Sequence, residues 1–205
     1  MMIKPLRRQL PAKTLLAGMV CITTLLACSG DDTVKSDRVA AGRDDQLIAA
    51  GRDKSIRCLA CHGAEGMSDY DVWPNLAGQT AEYLARQLRD FRSGRRHDPW
   101  MSPMARPLSD QDIDEIAAYF SSVSGVTGGP GSVPPLAATC VACHSASAVE
   151  TNPLRPFLVG QNRRYLVKQL KDFREGRRTD PVMAPMASAL SNQNIEALAV
   201  FYASP

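Results

Sequence analysis

The sequence lacks three patterns that each define a class of protein. It has no run of about 20 apolar residues of the kind that a transmembrane helix needs, since the apolar stretch 15–27 is shorter and is interrupted by threonine. It has no segments in which apolar and polar residues alternate, so no β-strands are predicted. It has no large charge excess, with 24 basic and 21 acidic residues among 205, so no basic face for nucleic acid is indicated. These absences favour an all-α protein.

The first 27 residues contain no acidic residue and are typical of a secretory signal peptide. Four basic residues precede the apolar stretch, as in the leaders of exported proteins. The stretch ends in Leu25-Leu26-Ala27-Cys28, which resembles the lipobox of bacterial lipoproteins, where the cysteine becomes the lipidated first residue. The alternative is an ordinary cleavage site beside an incidental cysteine. We expect a periplasmic lipoprotein with signal peptide 1–27 and a polar, flexible tether 28–43, anchored to a membrane through lipidated Cys28.

Cysteine is scarce, yet four of the six cysteines form two copies of one motif. The copies are Cys58-Leu59-Ala60-Cys61-His62 and Cys140-Val141-Ala142-Cys143-His144, 82 residues apart. This spacing is typical of covalent attachment of c-type haem, in which the cysteines form thioethers and the histidine ligates the iron. A zinc half-site would leave each histidine unexplained, and a redox disulfide would need a βαβ pattern that the sequence lacks. The sequence therefore predicts two covalently bound haem c groups, held by Cys58, Cys61, Cys140 and Cys143, with His62 and His144 as iron ligands.

A second signal is an internal repeat with the same offset of 82 residues. The segment 78–98, GQTAEYLARQLRDFRSGRRHD, matches the segment 160–180, GQNRRYLVKQLKDFREGRRTD. No gap is needed from the first cysteine to the end of the last helical pattern, which indicates a duplicated domain. The Gly/Ser/Pro-rich stretch between the copies is typical of a linker. We predict domain 1 at 44–123, a linker at 124–135 and domain 2 at 136–205.

Helical periodicity runs through both repeats. Residues 44–56 predict a helix that leads into the first motif, and apolar residues at helical spacing predict a helix in each long repeated segment. Thr80 is a candidate N-cap of the first of these. Ser109 with Asp112 predicts a capping box at the start of the last helix of repeat 1, and Ser191 begins its counterpart. The aromatic residues at helical spacing are predicted to be core.

These motifs together resemble the dihaem cytochrome c4 family. The resemblance covers residues 44–205 and includes, besides the CxxCH motifs, the segments WPNLAGQ and RPFLVGQ and the loops DPWMSPMA and DPVMAPMA. It implies two tandem class I cytochrome c domains and His/Met-ligated haems with their propionate edges facing across the domain interface. It also implies that the carbonyls of Pro74 and Pro156 accept a hydrogen bond from each ligating imidazole.

The sixth iron ligand has two candidates in each repeat, Met101 or Met104 and Met183 or Met186. The resemblance implies Met101 and Met183, which stand eight positions before the serine that begins the last helix. His97 is a rival on chemistry alone, but its counterpart is Thr179. Four arginines, repeated at the same offset, are candidates either for propionate binding or for a solvated or partner-facing surface: Arg95, Arg96, Arg177 and Arg178.

The two repeats differ at their beginnings. Ser145 stands where repeat 1 has Gly63, and the segment 131–139 leaves little room for a helix before the second motif. We therefore expect a trimmed second domain. We also expect the two haems to differ in potential, because Trp73 and Asn75 are replaced by Arg155 and Phe157.

The main functional hypothesis is one-electron transfer by two six-coordinate haems, without enzymatic chemistry. Expected partners are redox proteins: a terminal oxidase, a bc1-type complex or a dehydrogenase. The alternative is a cytochrome subunit of a periplasmic dehydrogenase complex. A dihaem peroxidase would need one iron that loses its distal ligand, and two equivalent methionine loops argue against it.

Overall fold

The computed structural model describes residues 44–126 and 131–204. The predicted signal peptide, Cys28, the tether and residues 127–130 of the predicted linker lie outside this range. Within it the regular structure is helical, apart from one antiparallel bridge between Arg96 and Arg178, as predicted for an all-α fold. None of the helices in these ranges is both long and apolar enough to cross a membrane.

The helices fall into two series that follow the sequence repeat. The first series is α1 (44–54), α2 (Ile56–His62), α3 (Ala81–Ser93), α4 (Met101–Ala105) and α5 (Asp110–Ser122), with a 3₁₀ turn at Ala64–Gly66. The second series is α6 (Ala138–His144), α7 (Ala146–Thr151), α8 (Arg163–Arg174), α9 (Met183–Ser188) and α10 (Asn192–Ala203), with a 3₁₀ turn at Pro135–Ala137. The helix predicted over 44–56 is divided at Ser55, whose side chain is fully buried.

Local capping sets the helix starts as the sequence predicts. The Thr80 hydroxyl accepts the Tyr83 N–H at the start of α3. Ser109 and Asp112 form a reciprocal capping box at α5, with N···O distances of 3.1 and 2.9 Å. These bonds satisfy N–H groups that have no partner inside the helix. The two longest helices of repeat 1 are therefore positioned by their own first turns.

Each repeat has its own apolar core. In repeat 1, α3 packs against α5, and the buried residues include Ile113, Ile116 and Phe120. In repeat 2, α8 packs against α10 around Leu166, Ala199 and Tyr202. The aromatic residues at these positions are core, as predicted. Cys58 and Cys140 pack against the edges of the two clusters, so each motif is held against its core.

The repeats differ where Ser145 replaces Gly63. Gly63 has φ 78°, and a Cβ there would lie 1.7 Å from the Met67 carbonyl oxygen, so the chain turns in a way that only glycine allows. Ser145 is extended, with φ −74°, and its hydroxyl caps α7. Among the described residues between the two repeats, a 3₁₀ turn is the only regular element directly before α6, in agreement with the predicted trimming. Repeat 1 has α1 there, tied to α5 by an ion pair from Lys54 to Glu115.

The two repeats meet in an interface with approximate two-fold symmetry. The Gln161 side chain accepts the Asn75 N–H at 2.8 Å and donates to the Asn75 carbonyl at 2.9 Å. The Gln79 side chain makes the equivalent pair with Phe157, at 2.9 and 3.1 Å. Both glutamines are buried. Residues that are equivalent in the repeat thus exchange the same bonds, which is the pattern of an isologous contact.

Candidate haem sites

Both CxxCH motifs line one continuous cavity of about 1650 Å³. α2 carries Cys58, Cys61 and His62, and α6 carries Cys140, Cys143 and His144. On a helix the first cysteine and the histidine four residues later share one face, so each motif presents a thiol and an imidazole to the same wall. None of these four cysteines forms a disulfide within the described ranges. The structure therefore brings the predicted site residues of both repeats together around one space.

Each motif histidine is buried and forms a hydrogen bond to a proline carbonyl, as the resemblance implies. His62 Nδ1 lies 2.8 Å from the Pro74 oxygen, and His144 Nδ1 lies 2.9 Å from the Pro156 oxygen. A carbonyl only accepts, so Nδ1 carries the proton and Nε2 keeps its lone pair. Burial lowers the pKa of both imidazoles, against an opposing effect of the proline carbonyls. The neutral, Nε2-basic form is the one that ligates a metal.

The candidate methionines lie at the starts of two short helices. Met101 is the first residue of α4 and Met183 the first of α9. Met101 and Met183 are partly buried, whereas Met104 and Met186 are exposed, and all four line the cavity. His97 is exposed and is not among the residues that line the cavity.

Two aspartates that sequence reasoning missed position these methionines. Asp98 accepts the backbone N–H of Met101 at 3.2 Å, and Asp180 accepts that of Met183 at 3.0 Å. Asp180 also accepts a bond from Arg86 of the other repeat at 2.8 Å. The signal that could have found them is the Asp-Pro pair that recurs in both methionine loops at the offset of the repeat.

The four candidate arginines separate into two kinds. Arg95 and Arg177 are exposed and pair with Asp90 and Asp172 at 2.7 and 2.8 Å. They are surface ion pairs, which contribute little.

Arg96 and Arg178 line the cavity at the interface between the repeats, and Arg95, although exposed, lines it as well. Each guanidinium donates to the side-chain oxygens of both Gln87 and Gln169, at 2.7–2.9 Å. Each lies over a phenylalanine ring, Phe91 or Phe173, at 4.4 Å from the centroid. Within the described ranges neither forms an ion pair with a carboxylate. A cation held away from water without an anion is costly, so this pair fits a group that brings carboxylates into the cavity, as haem does.

Comparison with known proteins agrees with this geometry. The family model described as cytochrome c matches residues 48–124. Cytochrome c4 of Pseudomonas aeruginosa is 38% identical over an alignment of 172 positions, which covers 75% of this chain and 86% of that protein. A thiosulfate dehydrogenase electron acceptor of Stutzerimonas stutzeri is 34% identical and spans 82% of this chain and 87% of its own length.

A solved structure supports the same relationship. The crystal structure of reduced cytochrome c4 from Pseudomonas stutzeri matches with a TM-score of 0.66 and 38% identity, over 76% of this chain and 97% of that one. The resemblance in the motifs is therefore confirmed over most of both chains. The chain belongs to the cytochrome c4 family, and it is a dihaem c-type cytochrome with covalently bound haem c that serves in electron transfer.

Proposed function

We propose that the protein carries electrons one at a time between periplasmic redox partners, with each iron ligated by one histidine and one methionine. The observation that carries this proposal is that both repeats line one cavity with a buried histidine, oriented by a proline carbonyl, and a partly buried methionine. Bound haem c supplies a one-electron iron couple. The motif cysteines of the chain would hold it covalently, and the motif histidines and the loop methionines would ligate its iron.

The attachment residues in this proposal are Cys58 and Cys61 for the first haem and Cys140 and Cys143 for the second. His62 and His144 are the proximal ligands. The Nδ1 bonds to Pro74 and Pro156 support this, since they fix ring orientation and increase the basicity of Nε2. The two domains correspond to 44–123 and 136–205. Part of the intervening linker belongs to the folded unit, because Val126 lies directly against Gly160.

Met101 and Met183 are the proposed distal ligands. Their partial burial and the anchoring of their backbone N–H groups by Asp98 and Asp180 support this choice over Met104 and Met186. Thioether ligation raises the potential of a haem iron. It also leaves no open coordination position, which favours a carrier over a peroxidase.

Arg96 and Arg178 are the proposed partners of the haem propionates. The paired guanidiniums lie between the two repeats, and their neutral partners leave their charge uncompensated. Propionates from both haems at this place would bring the two cofactors together at the domain interface. Internal electron exchange would then be faster than exchange with partners.

Export and anchoring remain part of the proposal on sequence grounds. The leader 1–27 directs the chain to the periplasm, and lipidated Cys28 with the tether 28–43 holds it at a membrane surface. A single acyl chain gives only marginal binding, so stable anchoring rests on the several chains of a bacterial lipoprotein.

One of the relatives indicates a specific class of redox partner for this protein. Since a thiosulfate dehydrogenase electron acceptor is 34% identical over most of both chains, we infer that a periplasmic sulfur-oxidising dehydrogenase is a candidate donor. This is also the observation that favours the second candidate function, a cytochrome subunit of a dehydrogenase complex. Co-purification separates a stable subunit from a freely diffusing carrier.

The proposal is tested on the holoprotein by mass and by redox titration. The denatured protein should retain two haem masses, and the variant Cys140→Ser/Cys143→Ser should retain one. The titration should resolve two one-electron waves, and the reduced protein should not bind carbon monoxide. Rapid binding of carbon monoxide to the native protein would refute six-coordinate ligation.

A further inference from the structure

The aromatic pair of the last helix has opposite order in the two repeats. α5 contains Tyr119-Phe120, and α10 contains Phe201-Tyr202, at the repeat offset of 82. The rings of each pair contact one another, with centroids 5.0 and 4.8 Å apart. Phe120 and Tyr202 line the cavity, and their neighbours do not. The second haem site therefore has a phenol where the first has a plain phenyl ring.

The hydroxyl of this phenol is buried and unpaired. Tyr202 is 3% exposed, and its Oη has no hydrogen-bond partner among the described residues. Its counterpart Phe120 is 1% exposed, so the ring is core in both repeats and only the hydroxyl is unexplained by packing. A buried donor without an acceptor is destabilising, and most such groups in native proteins have a partner.

The surroundings of Tyr202 limit what that partner is. Cys140 packs against the cluster of Leu166, Ala199 and Tyr202. The backbone carbonyl of Tyr202 accepts the Gly160 N–H at 2.7 Å, which holds the residue in place. Burial raises the pKa of Tyr202, so the hydroxyl keeps its proton and acts as a donor. What occupies the cavity beside Cys140 is then the acceptor.

We propose that Tyr202 is a tuning residue of the second haem, whose hydroxyl donates a hydrogen bond to the thioether sulfur through which Cys140 holds that haem c and thereby raises the potential of that haem. A donor beside the cofactor stabilises its more electron-rich, reduced state. The first site has no equivalent, because Phe120 cannot donate. This inference rests on the proposed attachment of the second haem at Cys140, and it identifies a source of inequivalence inside the core of repeat 2.

The test is Tyr202→Phe, which removes the hydroxyl and keeps the ring. A redox titration should show the second haem's wave at lower potential and the first haem's wave unchanged. A threefold to tenfold change in the equilibrium constant for reduction is expected, which is about 28 to 59 mV for a one-electron couple. The single-haem variant Cys140→Ser/Cys143→Ser assigns the waves. Tyr119→Phe removes the matched hydroxyl outside the cavity of repeat 1 and should move neither wave.

A reciprocal variant keeps the proposal testable if Tyr202→Phe does not fold. Phe120→Tyr adds a hydroxyl to the first site and should raise the first haem's potential alone. If Tyr202→Phe retains both haems and leaves both potentials unchanged, the proposal is overturned. A fall in melting temperature alone would not support it, because loss of a bonded water or of packing would also lower the melting temperature. Failure to find a second haem in the wild-type protein would instead contradict the proposed attachment at Cys140.

Discussion

Met101 and Met104 are three residues apart on one short helix, yet their side chains have different surroundings. Met101 is partly buried and its N–H is bonded to Asp98, whereas Met104 is exposed. Met183 and Met186 repeat this difference. Because a ligand must be held at a fixed place before the metal binds it, the anchored methionine is the better candidate in both repeats.

Replacing Met101 with alanine should make the first haem high-spin, open it to carbon monoxide and lower its potential, because the thioether that raises the potential is lost. Met183→Ala should do the same to the second haem. The measurements are the optical spectrum with and without carbon monoxide, and the redox titration. Met104→Ala and Met186→Ala are the matched controls and should keep native spectra. The reverse result would assign ligation to Met104 and Met186.

Arg95 and Arg96 are adjacent in sequence but differ in role. Arg96→Gln should lower the haem potentials, because it removes a positive charge beside the cavity that favours the reduced state. A roughly tenfold change in the reduction equilibrium, about 59 mV, is expected for the more affected haem. Arg95→Gln removes the same charge from a surface ion pair with Asp90 and should change the potentials far less, because solvent screens it. Equal effects of the two variants would contradict propionate binding by Arg96.

At the scale of elements, side chains of each repeat form hydrogen bonds to backbone groups of the other repeat. Gln79 and Gln161 lie just before α3 and α8, and each bonds both backbone groups of a residue in the other repeat. These bonds hold the loop that carries Pro74 and the loop that carries Pro156 against the other repeat. The proximal side of each haem site depends on the other repeat for its rigidity.

Gln79→Ala and Gln161→Ala should each destabilise the protein by about 1–3 kcal/mol, because each leaves a buried backbone N–H and carbonyl unpaired. The double variant should unfold less cooperatively, since the repeats are then coupled by fewer bonds, among them Arg86 to Asp180 and Arg96 to Gln169. Chemical unfolding followed by circular dichroism measures both effects. The control is Gln193→Ala, an exposed residue of α10, for which a change within about 0.5 kcal/mol is expected. An equal cost for all three substitutions would show that the clamp does not join the repeats.

At the scale of the whole molecule, the question is where the protein is held. Exchange of the leader and Cys28 for an ordinary cleavable signal should release the protein into the soluble periplasmic fraction, because lipid chains supply the anchoring. Fractionation and immunoblotting measure the distribution. A control leader that keeps Leu25-Leu26-Ala27-Cys28 should leave the protein on the membrane. Persistence on the membrane after the full exchange would mean that a partner protein holds it there.

Much of the fold was predictable because its signals are local. The CxxCH motif carries its ligands within five residues, and helix starts at Thr80 and Ser109 depend on bonds within one turn. The break at Ser55 was not predictable from periodicity, because it depends on a side chain that the rest of the domain buries. The helix α7 was not predictable from periodicity either. It forms because the backbone of Ser145 is extended, whereas Gly63 at the equivalent position has a positive φ.

The sequence by itself determined the two repeats, the haem attachment motifs, the helical class and the identity of the candidate ligands, since each of these depends on spacing along the chain. Only the tertiary structure decided which glutamines join the repeats, which of two adjacent arginines is buried, and that the Tyr202 hydroxyl has no partner among the described residues. The physical reason is that Arg96 and the glutamines bond to residues more than 70 positions away, and that Tyr202 is buried by another helix of its repeat. A repeat in sequence predicts equivalent positions, and the packing of one repeat on the other determines what those positions do.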